Sequence, residues 1–150
     1  MAKVVYTAHA HVTGGRAKGH GVTDDGALDV QLRPPAADGA APEGTNPEQL
    51  FAVGYAACFE SALGVLARRT GAAVEDAAIE STVSLVATPD HSYGLVVDLD
   101  VTLPQVADAD EAIEIVRGTH AVCPYSIATR GNIEVTLKAN GHAVSLDEAA

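Results

Sequence analysis

The order of elements read from the sequence (strands, helix, strands, helix, strand) predicts an α+β fold built on antiparallel sheets. Three observations carry that reading. Short segments of alternating apolar and polar residues lie on both sides of one long apolar helical segment. A stretch rich in Pro, Gly and Ala, residues 33–44, divides a strand-like N-terminal part from a helical centre. The chain has 150 residues, 47% hydrophobic and 19% charged, which is the composition of one globular domain over residues 1–150, or at most two small lobes. Aromatic residues make up only 4% and tryptophan is absent, so Ala, Val, Leu and Ile must supply the core.

Val4 to Thr13 alternates loosely and contains β-branched residues, and Gly14-Gly15 punctuates it. Gly21 to Thr23 is weakly strand-like, Asp24-Asp25-Gly26 is a turn signal, and Leu28 to Leu32 alternates cleanly. These segments predict a small antiparallel meander. The strongest helix signal follows the loop. Asn46 is placed to cap it with Pro47 at the first helical position, and Thr45 with Glu48 is a competing capping box. From Leu50 to Leu66 the segment is apolar on almost every face, which predicts a helix buried on all sides. Arg68, Arg69 and Gly71 form its stop. A monomer of this size has difficulty enclosing such a helix, so a partner subunit is the simpler cover.

Ile79 to Ala87 and Tyr93 to Leu103 both alternate across the five-residue segment Thr88 to Ser92, as a β-hairpin does. Asp108 with Glu111 opens a second helix reaching Thr119. Pro124 to Thr129 reads as one short helical turn ending near Gly131, and Ile133 to Leu137 as a final strand.

Nine basic against 20 acidic side chains give a formal charge of -11. That balance repels phosphate backbones and anionic lipid, which argues against nucleic-acid and membrane-surface partners. Met1 to Val12 lacks the pattern of a secretory signal, and the apolar run Leu50 to Phe59 is too short to span a bilayer. A cytoplasmic protein is expected, and there Cys58 and Cys123, the only cysteines, are either inert core residues or a working redox pair.

Cys58 lies inside the apolar helix, where a free cysteine is commonly an inert packing residue and where its thiol is hard to ionise without a cation. Cys123 precedes Pro124 at the start of the short helical turn. There it is either a thiolate favoured by backbone N–H groups or a small buried side chain. Arg16, between Gly14-Gly15 and Gly19, is a surface cation or one aimed by a tight loop. Glu48 suits the first turn of a helix as a capping carboxylate. Six histidines raise the question of a metal, and His9 and His11 would share a strand face, yet no metal-ligand spacing is present. A serine nucleophile elbow and a phosphate loop are likewise missing.

Thr45-Asn46-Pro47-Glu48-Gln49-Leu50-Phe51-Ala52-Val53-Gly54-Tyr55-Ala56-Ala57-Cys58-Phe59 closely resembles the first cysteine motif of the organic hydroperoxide resistance (Ohr) proteins of the Ohr/OsmC family. His120-Ala121-Val122-Cys123-Pro124-Tyr125-Ser126-Ile127-Ala128-Thr129-Arg130-Gly131-Asn132 resembles the second, and Gly14-Gly15-Arg16-Ala17-Lys18-Gly19 resembles the family's arginine loop. The likeness covers essentially the whole chain and is closer to the Ohr than to the OsmC branch.

The resemblance implies antiparallel sheets around a long buried central helix in an intertwined homodimer. It implies a thiol-dependent peroxidase in which Cys58 is the peroxidatic and Cys123 the resolving residue, with Arg16 and Glu48 activating Cys58. It also implies a dihydrolipoyl group on a partner protein as external reductant, with no bound metal or haem. A burying apolar site would favour alkyl, aryl or lipid hydroperoxides over hydrogen peroxide. Glu48 and Cys58 are ten positions apart, about 15 Å of rise in a continuous helix. If both serve one site, either Glu48 comes from the partner subunit or the helix breaks. Two other readings compete: an OsmC-like peroxidase of broader substrate range, and a non-catalytic binder of oxidised lipids whose cysteines only sense peroxide.

Overall fold

The computed structural model describes residues 2–146, which divide between Leu50 and Phe51 into two compact units. In the first, β1 (Ala10–Thr13), β2 (Gly19–Thr23) and β3 (Asp29–Leu32) form an antiparallel sheet in that order, the expected meander. Its first strand is shorter than the alternation from Val4 suggests. Ala10 pairs with Thr23, the last residue of β2, and beyond them the turn carries the partner chain away after one further bond, Asp24 N–H to His9 O at 3.2 Å. The turn between β2 and β3 closes with Thr23 N–H donating to Leu28 O at 2.9 Å and Thr23 Oγ1 donating to Asp25 Oδ1 at 2.7 Å.

The segment around Arg16, expected as a loop, is a single helical turn, α1 (Gly15–Lys18). Gly14 and Gly15 enter it at φ 73° and 60°, the left-handed region that glycine occupies without strain. A Cβ on Gly14 would stand 2.8 Å from the Lys18 carbonyl oxygen, so the turn closes only around a bare α-carbon. Residues 33–44 form the expected loop. Its far end is tied back by Arg33 N–H to Thr45 O at 2.8 Å and Thr45 N–H to Gln31 O at 2.9 Å.

That tie delivers the chain to α2 (Pro47–Thr70), which runs unbroken for 24 residues. Asn46 is its cap: Asn46 Oδ1 accepts the Gln49 N–H at 2.9 Å. The competing box does not form, because Thr45 Oγ1 donates to Gln49 Oε1 instead. Gly71, at φ 78°, ends the helix with its N–H on Ala67 O. By length and composition α2 could cross a membrane, yet Tyr55, Phe59, Ala62 and Leu63 are buried in the core of the second unit. Among the described residues its other apolar side chains are only partly buried or exposed, and Val53 is 71% exposed. Burial on all sides is therefore not met by one copy alone.

The second unit holds a four-stranded sheet in the order β4 (Ala78–Ala87), β5 (Tyr93–Thr102), β6 (Glu134–Ala139), β7 (His142–Val144). The hairpin β4–β5 is antiparallel over its full length, from Ala78 opposite Thr102 to Ala87 opposite Tyr93. β6 departs from the expected all-antiparallel pattern by running parallel to β5. The chain between them crosses over through α3 (Ala109–Val122) and α4 (Pro124–Thr129), and a crossover returns a strand in the same direction. β7 was not expected. It pairs with β6 through Asn140-Gly141, both at positive φ, a two-residue hairpin turn. Asp108 Oδ1 caps α3 by accepting the Glu111 N–H at 2.9 Å. Val97, Leu99 and Val101 of β5, Leu137 of β6, Val116 of α3 and the buried face of α2 make one core.

Candidate active site

Arg16 and Glu48, predicted as partners, are brought together. The α1 turn presents Arg16, whose Nη2 donates to Glu48 Oε2 at 2.7 Å. Glu48 sits in the first turn of α2, where a carboxylate is favoured by the helix dipole, and its side chain is mostly buried while Arg16 is half exposed. The pair therefore holds a guanidinium in a fixed direction with donors still free.

Cys58 and Cys123 are also brought together. Cys58 is in the fourth turn of α2, and Cys123 is the junction residue at which α3 ends and α4 begins. Both are free thiols. Their sulfurs are 3.8 Å apart, with the Cys123 thiol donating toward Cys58. A disulfide needs about 2.05 Å, so a shift of about 1.8 Å would join them. Cys123 is fully buried, and its backbone N–H is bound to Thr119 O at 2.9 Å.

The backbone amides of α4 serve the other sulfur from the one the sequence suggests. Cys123 is the N-cap residue but makes no side-chain capping bond. Pro124 has no N–H to give, and the first available amide, that of Tyr125, bonds toward Cys58. Burial pushes the Cys58 thiol above its ordinary value, the Tyr125 N–H pulls it down, and the adjoining Cys123 adds to the upward push. The net direction is upward, so this surrounding alone does not yield a thiolate at neutral pH.

Sequence reasoning missed the polar contact beside the sulfurs. Tyr55, counted there as one more apolar residue, is fully buried, and its hydroxyl donates to Ser126 Oγ at 3.0 Å and lies 3.3 Å from Thr129 Oγ1. The only signal was chemical: a buried phenol must find a partner. Phe51, Tyr55 and Tyr125 pack as an aromatic trio with ring centroids 5.7–5.9 Å apart. Gly54 leaves room for the Tyr125 ring, whose hydroxyl would be 3.4 Å from a Cβ there. Among the described residues no cluster of three or more His, Cys, Asp or Glu side chains is placed to hold a metal.

A model of the OsmC-like protein family matches residues 38–138 of the chain. An organic hydroperoxide resistance protein of Xanthomonas axonopodis pv. citri is 47% identical over 137 residues, covering 90% of this chain and 94% of that protein. The solved structure of an organic hydroperoxide resistance protein from Legionella pneumophila matches with a TM-score of 0.82 at 45% identity, over 91% of this chain and 98% of that one. The organic hydroperoxide resistance protein OhrB of Bacillus subtilis matches with a TM-score of 0.82 at 44% identity, over 90% and 98%.

Proposed function

The chain belongs to the organic hydroperoxide resistance (Ohr) proteins of the OsmC-like family, and from that premise we propose that it is a thiol-dependent peroxidase reducing organic hydroperoxides to alcohols. The observation that carries the proposal is the contact of two free thiols at 3.8 Å, one on the core helix and one at a helix junction.

Cys58, as thiolate, attacks the distal oxygen of the hydroperoxide. The O–O bond breaks, the alkoxide leaves and takes a proton as the alcohol, and Cys58 becomes a sulfenic acid. Cys123 then attacks that sulfur, the S–S bond forms, and the hydroxyl leaves as water with the Cys123 proton. A dihydrolipoyl dithiol on a partner protein reopens the disulfide by exchange and is itself oxidised. The apolar surroundings of Cys58 on α2 favour alkyl, aryl and lipid hydroperoxides, whose carbon chains gain from burial.

Arg16 supplies the cation that Cys58 needs and offsets charge developing on the peroxide oxygens, and Glu48 aims it. Because α2 is unbroken from Glu48 to Cys58, about 15 Å of rise separates them within one chain. The Arg16–Glu48 pair of one protomer therefore serves Cys58 of the other, in a homodimer with composite sites. The uncovered apolar face of α2, with Val53 exposed, supports that assembly. The cycle suits a reducing, cytoplasmic setting, where the disulfide is a transient state.

The test is to treat reduced protein with cumene hydroperoxide and, separately, hydrogen peroxide, and follow the thiols by mass spectrometry. The Cys58–Cys123 disulfide should form faster with the organic peroxide. Cys58→Ser should abolish turnover, and Cys123→Ser should allow one oxidation followed by over-oxidation at Cys58. A Cys58→Ser protein that still turns over peroxide overturns the assignment, and obligate monomer behaviour in ultracentrifugation removes the composite site.

A further inference from the structure

The sulfur pair is one rung of a two-rung contact. Tyr55 precedes Cys58 by three residues on α2, and Ser126 follows Cys123 by three residues into α4. Residues three apart on a helix share a face, so the Tyr55–Ser126 bond lies one turn from the Cys58–Cys123 contact on α2. Tyr55 and Ser126 are fully buried and Thr129 is 5% exposed. Thr129 Oγ1 also donates to the carbonyls of Tyr125 at 2.9 Å and Ser126 at 3.2 Å, which ties the phenol into the backbone of α4. Among the described residues, the side-chain hydrogen bonds joining α2 to residues 123–129 are these hydroxyl contacts, the sulfur pair itself and the Tyr125 N–H toward Cys58. A helix of six residues does not hold its own position in water, so its place against α2 depends on such contacts. Burial pushes the Tyr55 phenol above its ordinary value, and it stays a neutral donor through the physiological range.

We propose that Tyr55, through Ser126 and Thr129, is a positioning residue for disulfide closure: it keeps Cys123 within reach of Cys58 and so decides whether a sulfenic acid at Cys58 is resolved or oxidised further. The inference rests on the peroxidase reading given above. Two reactions compete for the sulfenic acid. In one, the Cys123 sulfur displaces the hydroxyl and water leaves. In the other, a second hydroperoxide transfers an oxygen to Cys58, giving a sulfinic acid and a second alcohol. The first depends on where Cys123 sits and the second does not, so the ratio of the two products reports the position of Cys123.

The experiment uses the full-length reduced protein in single turnover with rising excess of cumene hydroperoxide, quenched by alkylation, with disulfide and sulfinic acid at Cys58 quantified by mass spectrometry. Tyr55→Phe, Ser126→Ala and the double variant are compared with the parent. The first oxidation of Cys58 should keep its rate within about twofold. Closure should slow about tenfold, the scale set by misplacing a reacting group by a fraction of an ångström to one ångström, so sulfinic acid should appear at about tenfold lower peroxide. The double variant should match the single ones, because both ends of one contact are then gone. A purely structural role would lower the melting temperature and leave the product ratio alone. If Tyr55→Phe melts below the assay temperature, the double variant, which strands no hydroxyl, carries the test. An unchanged ratio in folded Tyr55→Phe and double variants overturns the inference while leaving the peroxidase reading intact. A parent protein whose Cys58 is not oxidised refutes that reading, and the positioning role with it.

Discussion

Replacing Arg16 by Met removes the guanidinium while keeping the length of the side chain. Its bond to Glu48 is half exposed on the Arg16 side, and such a pair contributes about 0–1 kcal/mol to stability, so the variant should fold. The effect on Cys58 is larger and has a distinctive form. The chain's own surroundings raise the Cys58 thiol, burial first, so without a cation the sulfur is almost wholly protonated at neutral pH. Each unit by which a cation lowers a thiol's pKa multiplies the thiolate fraction by about tenfold while the pH stays below that pKa. It also weakens the thiolate as a nucleophile by about threefold. The net gain toward a small neutral reagent is therefore only about three- to fourfold per unit. Iodoacetamide alkylation of Arg16→Met should show its pH midpoint moved upward, with the rate at pH 7 falling by about that factor for each unit of movement. In the proposed mechanism Arg16 also neutralises charge on the oxygens in the transition state, so reaction with cumene hydroperoxide should fall by a further 10²-fold or so. Stopped-flow alkylation and peroxide consumption, each against pH, supply both numbers. An unmoved alkylation midpoint, or a peroxide rate that falls no further than the alkylation rate, refutes the role of Arg16.

Three further outcomes follow from the geometry. Cys123→Ala removes one of the groups that push the Cys58 thiol upward, so its alkylation profile should move to lower pH, and movement to higher pH contradicts the contact. Asn140→Ala deletes bonds to Leu103 N–H at 2.6 Å, Leu103 O at 3.2 Å and Val106 O at 2.9 Å at a position with φ 48°. At about 1 kcal/mol for each bond, thermal denaturation should show a loss of about 5–10 °C. His120 is held below its ordinary value by burial and by Arg130. A group depressed in the folded state stabilises above its unfolded value and loses that contribution as the pH falls through the folded one. Denaturant titrations of His120→Gln should therefore show a flatter loss of stability on the acid side of about pH 6.5 than the parent.

Much of the fold was legible because local chemistry specified it. Asn46-Pro47 fixed the start of α2 and the Asp108 cap that of α3, while the alternation in β4 and β5 told both strand and partner. The parallel entry of β6 was not legible, since alternation records which face a residue takes and says nothing of strand direction. β7 has three residues, too few for a period, and its one signal was Asn140-Gly141. At the site, Cys58 taken alone reads more readily as core and Cys123 equally well as core or thiolate, and only the likeness to a family joins them. The Tyr125 amide carries no side-chain signature at all, and Tyr55 merged into the apolar run around it.

Cys58 and Cys123 stand 65 residues apart in sequence, so the bond proposed between them would fasten the first core helix to the far side of the sheet's crossover. In the chain-entropy treatment, closing a loop of that length restricts the unfolded state by about 4 kcal/mol, or roughly 10 °C in melting temperature for a protein of this size. The form waiting for its reductant would then be the tougher one, and the form ready for peroxide the more pliant. During an oxidant burst the molecule would grow more resistant to heat and proteases as its activity drains away, surviving intact until reducing power returns.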